Sequence, residues 1–187
     1  MKLYRNALKN WEKVILFFLF LSQLFLFRGV HGEQPHVHEA FRLLAEESVL
    51  LSNKLNMQII GCGGIFNDSI ESLEIVYRVP GRMDITNARL VFIAIIQEWL
   101  KRLNSDMQAR VFYKNFPMTI DNLELRMMLS EYDERSTKKN AKIALMFNLG
   151  KRIVYCYRDK NGTICPFLRE NYCDAVKEIE KQIKIKK

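Results

Sequence analysis

Gly61-Cys62-Gly63-Gly64, followed by Asn67-Asp68, is the stretch of this 187-residue chain with the most chemical potential. Three glycines in four positions let main-chain amides converge on an anion, or let a ligand come close against the backbone. A small enzyme built here would use Cys62 or Asp68. The run is not a phosphate loop, since it lacks the Gly-Lys-Ser/Thr ending, and it is not a dinucleotide fingerprint. Its plain structural reading is a tight turn or bulge, with a preceding strand that stops at Gly61. Gly61, Cys62, Gly63, Gly64, Asn67 and Asp68 are the candidate ligand-binding residues, and no catalytic set is assigned.

Other reactive side chains are few. The chain has three histidines, His31, His36 and His38. On a helix His36 and His38 would point about 200° apart, so they would not share a metal. No Ser/His/acid set is visible, and neither a metal nor a cofactor is expected. Asn67-Asp68-Ser69 and Asn161-Gly162-Thr163 match the glycosylation sequon, which matters only in a eukaryotic secretory pathway.

Val14–Phe27 governs where this chemistry would operate. Only Ser22 and Gln23 are polar in these fourteen residues, and Lys2, Arg5, Lys9 and Lys13 precede them. Fourteen helical residues rise about 21 Å, short of a hydrocarbon core of about 30 Å. Val30-His31-Gly32 supplies small side chains for a signal peptidase. Residues 1–32 therefore read as a signal peptide cleaved after Gly32, leaving an exported domain over 33–187, in the periplasm or outside the cell. The alternative is an inner-membrane anchor through Val14–Phe27.

Export changes the reading of cysteine and charge. Cys62, Cys156, Cys165 and Cys173 all follow the signal, and an even count outside the cytosol favours disulfides of unspecified pairing. A local bridge among the last three would contribute roughly 2–3 kcal/mol. Zinc fits poorly, because no C-x-x-C occurs. The formal charge of +8 is uneven: Glu33–Glu134 holds ten Lys/Arg against fifteen Asp/Glu, whereas Arg135–Lys187 holds fourteen against five. The basic end suggests contact with an anionic membrane through Lys177, Lys181, Lys184, Lys186 and Lys187, or simply a solvated helix face. Nucleic acid is not an expected partner.

The positioning elements follow from periodicity. Val37, Phe41, Leu44, Leu51 and Leu55 recur at helical spacing from near His36, with Glu39, Arg42, Glu46 and Glu47 in other directions. Met57–Ile59 and Ser72–Val79 alternate as strands, and Pro80-Gly81 ends the second. Asp84 or Thr86 caps a helix whose apolar side is Ile85, Ala88, Val91, Phe92, Ile95, Ile96, Trp99, Leu100 and Leu103. Three period-two runs follow: Leu123–Leu129; Ile143, Leu145, Phe147 and Leu149; and Ile153, Tyr155 and Tyr157. A charged, mobile link spans Asp133–Asn140. Asn148–Lys151 and Asn161-Gly162 are turns. Pro166 fits the first turn of a closing helix that includes Leu168, Tyr172, Ala175, Val176, Ile179 and Ile183. The expected fold is α+β, one two-layer domain. An antiparallel sheet of about five strands is packed by three amphipathic helices, in the order α-β-β-α-β-β-β-α.

Two motifs carry a resemblance. Gly61-Cys62-Gly63-Gly64 with Asn67-Asp68, and Asn115-Phe116-Pro117-Met118-Thr119 with Asn122-Leu123-Glu124-Leu125-Arg126, resemble an uncharacterised family of small exported proteins of bacteria that live inside host cells. In that family the second motif reads Tyr-Pro-Phe-Thr, and Cys62 departs from the usual glycine or small residue. Ala88-Arg89-Leu90 also fits. The resemblance implies export and carries over no catalytic residue. The leading expectation is a secreted or periplasmic, non-enzymatic domain that binds a protein or small ligand. The alternatives are the small enzyme at Gly61–Asp68 and the membrane-contacting or anchored protein.

Overall fold

The computed structural model describes residues 34–130 and 143–185. The expected signal over 1–32, the charged link Asp133–Asn140, and Lys186 and Lys187 lie outside them. Pro35–Lys187 forms one compact unit. Its elements are α1 (Pro35–Leu55), β1 (Gln58–Phe66), β2 (Ile70–Val79), α2 (Ile85–Ser105), β3 (Leu123–Leu129), β4 (Leu145–Leu149), β5 (Arg152–Arg158), β6 (Ile164–Asn171) and α3 (Tyr172–Ile185). Two short 3-10 turns, Ala109–Phe112 and Ile120–Asn122, lie between α2 and β3.

The α+β class holds, with six strands in the spatial order β1-β2-β3-β4-β5-β6. The extra strand is β6, which occupies the segment expected to open the closing helix. Pro166 starts no helix. It sits on an edge strand opposite Cys156, at a register shift, where a missing N–H is tolerated. The sheet is also not wholly antiparallel. β2 and β3 run parallel, Leu73 opposite Leu123 through Val79 opposite Leu129, because α2 carries the chain back before β3 begins.

α2 is the central helix of the covered side. Its Asp84 cap accepts the Asn87 amide at 2.8 Å, and Phe92, Ile95, Ile96, Trp99 and Leu103 are buried as the spacing predicts. They meet the alternate residues Leu73, Ile75 and Tyr77 of β2 and Leu123, Leu125 and Met127 of β3. Each such side chain contributes about 1.5–3 kcal/mol by leaving water. The indole N–H of Trp99 donates to the Tyr77 hydroxyl at 3.0 Å, so the one polar atom of the largest core side chain is satisfied.

α1 departs from its expected polar face. Ala40, Leu43 and Leu44 are buried, but so are His36 and Glu39, while Phe41 is partly exposed. Glu39 is tolerable there because Arg42 binds it, with the shortest contact at 2.5 Å, and extends to Asp106 at 2.5 Å and Glu46 at 2.7 Å. Asp106 in turn accepts the amides of Gln108 and Ala109, which starts the turn after α2. Burial pushes the Asp106 carboxyl up, but Arg42 and those amides outweigh it and hold it below the ordinary value. A depressed folded value means the stabilisation is complete above the unfolded value, about 3.9, and is lost as pH falls through the folded one. Urea melts at pH 5 and pH 3 should therefore show an acid-induced loss that Asp106→Asn reduces. An identical loss in the variant would contradict the role given to this carboxylate.

Candidate functional site

The glycine-rich run lies inside β1 rather than in a turn. The strand passes through Gly61 and ends at Phe66, with register shifts between Ile59 and Gly61 and between Ile65 and Phe66. Asn67 and Asp68 form the connection to β2. Successive amides of an extended strand point to opposite edges, so this conformation does not gather three of them on one anion. At Gly64 the reason for glycine is space. A Cβ there would lie 2.2 Å from the Ser72 carbonyl oxygen and 2.6 Å from the Phe66 ring. That ring folds back over the glycine and meets Phe41 edge-on, with centroids 6.0 Å apart.

The end of this hairpin is tied down by neighbours. The Nε2 of His36 lies 2.6 Å from the Asn67 carbonyl oxygen, so the tautomer protonated there donates to it. The Asn67 side-chain amide donates to Glu71 at 3.1 Å, and Lys114 reaches Glu71 at 3.0 Å. Lys114 first, then Asn67, hold the Glu71 carboxyl below its ordinary value. Asp68 and His38 are exposed. Among the described residues no three metal-binding side chains converge.

The expectation of disulfides is overturned: all four cysteines are free. Cys62 is on one edge strand and Cys173 opens α3. Cys156 and Cys165 are on adjacent strands but opposite faces of the sheet. Cys156 pairs with Pro166, whereas Cys165 pairs with Tyr157 and lies beside its hydroxyl. Burial pushes the Cys62 and Cys156 thiols up.

The second motif is a scaffold. Asn104 grips Met118 twice, donating to its carbonyl at 2.9 Å and accepting its amide at 2.7 Å. Thr119 and Asn122 cap the turn into β3, and Asn122 also donates to the Glu71 carbonyl at 3.0 Å. The Phe116–Pro117 peptide is cis, and the Arg110 guanidinium lies 4.2 Å from the Phe116 ring centroid.

The arrangement that periodicity missed is on the other side of the sheet. Of the expected row, Ile143 lies before β4 and in the core, whereas Leu145, Phe147 and Leu149 share the face turned away from α2; Met146 and Asn148 occupy the buried side of β4. Leu149 is 58% exposed and Asn148 only 1%. Asn148 belongs inside because its side chain continues a ladder that stops at Arg126 and Phe147. It accepts the Leu125 amide at 2.8 Å and donates to the Leu123 carbonyl at 2.7 Å. Putting this polar residue inward turns an apolar row outward.

That row has company. Phe147 lies opposite Val154 and Leu145 opposite Cys156, while Cys156 faces Pro166 and Val154 faces Arg169. Phe147, Leu149, Val154, Cys156, Ile164 and Pro166 line a half-open hollow of about 290 Å³, with Arg152 and Arg169 among its walls. Neither arginine has a carboxylate partner among the described residues. The contrast with other arginines is sharp. Arg126, on the same face, sits 2.7 Å from Glu124 and 3.1 Å from Glu74, and Arg89 binds Glu170 at 2.8 Å. Glu170 also takes the Tyr155 hydroxyl. Burial, then Glu170, hold that phenol above its ordinary value, so it stays a donor. The open face is thus charge-paired over β2–β3, and apolar with spare positive charge over β4–β6.

The lysines of α3 are elsewhere. Lys177, Lys181 and Lys184 are exposed, and Lys177 lies 3.7 Å from Asp174. No described helix is long and apolar enough to cross a membrane. Compared with protein-family profiles, curated proteins and solved structures, the chain matches none.

Proposed function

We propose that this is an exported, non-enzymatic binding domain that takes an amphipathic anion, an apolar body with an acidic head, on the β4–β6 half of its open face. The observation that carries this reading is the pairing of an apolar hollow with two arginines that have no carboxylate partner among the described residues. Apolar lining supplies affinity by removing surface from water, and a few polar groups fix orientation. A guanidinium presents a planar fork to a carboxylate or phosphate, and no acid among the described residues answers Arg152 or Arg169. The motif resemblance adds export to the reading. Raised thiol values run against the nucleophile that a Cys62 enzyme would need, since activation requires the thiolate.

Calorimetric titration of the full-length chain with decanoate and with decanol tests the proposal. Decanoate should bind, and Arg152→Ala/Arg169→Ala should weaken it by about tenfold or more, the scale of one charge-assisted hydrogen bond. Decanol should be unaffected by the double substitution. Equal binding of acid and alcohol, or an acid affinity indifferent to both arginines, would contradict it.

A further inference from the structure

β1 closes one side of the sheet, and no described residue pairs with its outer edge as a strand. A row of free N–H and C=O groups is a template for another strand, and proteins blunt it with charge, proline or twist. The far edge is guarded in this way: β6 carries Pro166, Arg169 and Glu170. β1 is not. Gln58–Phe66 reads QIIGCGGIF, with no charged residue and no proline, in a chain where 27% of residues are charged. Ile60 and Ile65 are exposed on it, and nothing lies within 4 Å of where a Gly63 side chain would be. The two register shifts leave Gly61–Ile65 as its regular part.

We propose that β1 is a self-association edge, through which two copies of this chain pair antiparallel and join their sheets. A second copy fits better than a foreign strand for two reasons. It brings an equally uncharged segment, so no acid or base on either side is left unanswered. A two-fold axis also lets one short strand serve as both partners. Antiparallel pairing that keeps both open faces on the same side must be centred on a residue, and the regular part places that centre at Cys62 or Gly63. Either way the two Cys62 residues come within about 8 Å, as opposite or diagonal neighbours. The glycines on both strands let the backbones approach without side-chain obstruction.

Cysteine cross-linking reads this directly. Full-length protein treated with a short bismaleimide should give a dimer joined through Cys62, identified by peptide mass. Cys173, also exposed, serves as the control for random collision, and Cys62 links should exceed Cys173 links about tenfold. Gly63→Lys adds a side chain into open space and sets like charges across the axis, so it should abolish the Cys62 link while the circular dichroism spectrum stays unchanged. Ile65→Lys provides the same test should the first variant misfold. Cys62 links no more frequent than Cys173 links would overturn the proposal. A dimer that survives both lysine substitutions, or a Cys62 link to a different protein in the host extract, would do so as well.

Discussion

Asn148→Ala should destabilise the domain by about 2–4 kcal/mol, because it strands a buried donor and a buried acceptor at once. The Asn148 amide is 1% exposed and replaces the missing rungs between β3 and β4, holding the Leu125 N–H and the Leu123 carbonyl. It also reaches the Gly150 carbonyl at 3.3 Å, which ties it to a turn where Gly150 takes a φ of +52°. The side that holds Asn148 packs in the apolar layer against α2, so groups left without a partner there carry a desolvation cost. Leucine, larger and apolar, should not rescue the position, since the orphaned groups belong to β3. Urea unfolding followed by circular dichroism measures the loss. A change below about 0.5 kcal/mol, the range of ordinary surface substitutions, would mean that Asn148 does not bridge these strands.

Trp99→Ala should cost more, about 3–5 kcal/mol, by opening a cavity between α2 and the middle of the sheet. Trp99 is fully buried, and its indole bonds the equally buried Tyr77 of β2. The loss combines transfer, cavity and a broken buried hydrogen bond. Against a total stability of about 5–15 kcal/mol it would leave a fraction of molecules unfolded at physiological temperature. Trp99→Phe keeps most of the volume and should lose markedly less. Equal losses for the two variants would indicate that packing is not what this side chain provides.

These two residues mark the range of what the sequence made legible. Trp99 stood out because α2 repeats apolar residues at helical spacing over its whole length, and one strong stripe admits one orientation. Asn148 was invisible for the opposite reason. β4 is apolar on both sides, at Leu145, Phe147 and Leu149 and again at Met146, so alternation identified the strand without telling which side faced inward. A polar residue satisfied by main chain on a neighbouring strand leaves no local signal. The same limit hid the hollow, whose lining comes from three strands.

Elsewhere a plausible local rule lost to tertiary context. Pro166 suits a helix start by local rule, but at a sheet edge its missing N–H costs nothing, and Ile164–Asn171 pairs with β5 instead. Spacing puts Glu39 off the apolar side of α1, yet Glu39 is buried against Arg42 three residues on, and His36 is buried against the distant Asn67 carbonyl. The disulfide expectation rested on compartment and an even count. Strand pairing decides otherwise, since Cys156 and Cys165 sit on opposite faces of one sheet. For the Gly61–Gly64 run composition suggests a tight turn or bulge; the register shifts only flank it, and the run itself is regular edge strand.

A binding face on β4–β6 is tested most directly by amide chemical shifts during titration of the isotopically labelled protein with decanoate. Saturable shifts should concentrate at Phe147, Val154, Cys156, Ile164 and Arg169, with α2 and β1 unmoved. Saturable shifts centred on Gly61–Asp68, or on α3 around Lys177 and Lys181, with β4–β6 silent, would contradict it.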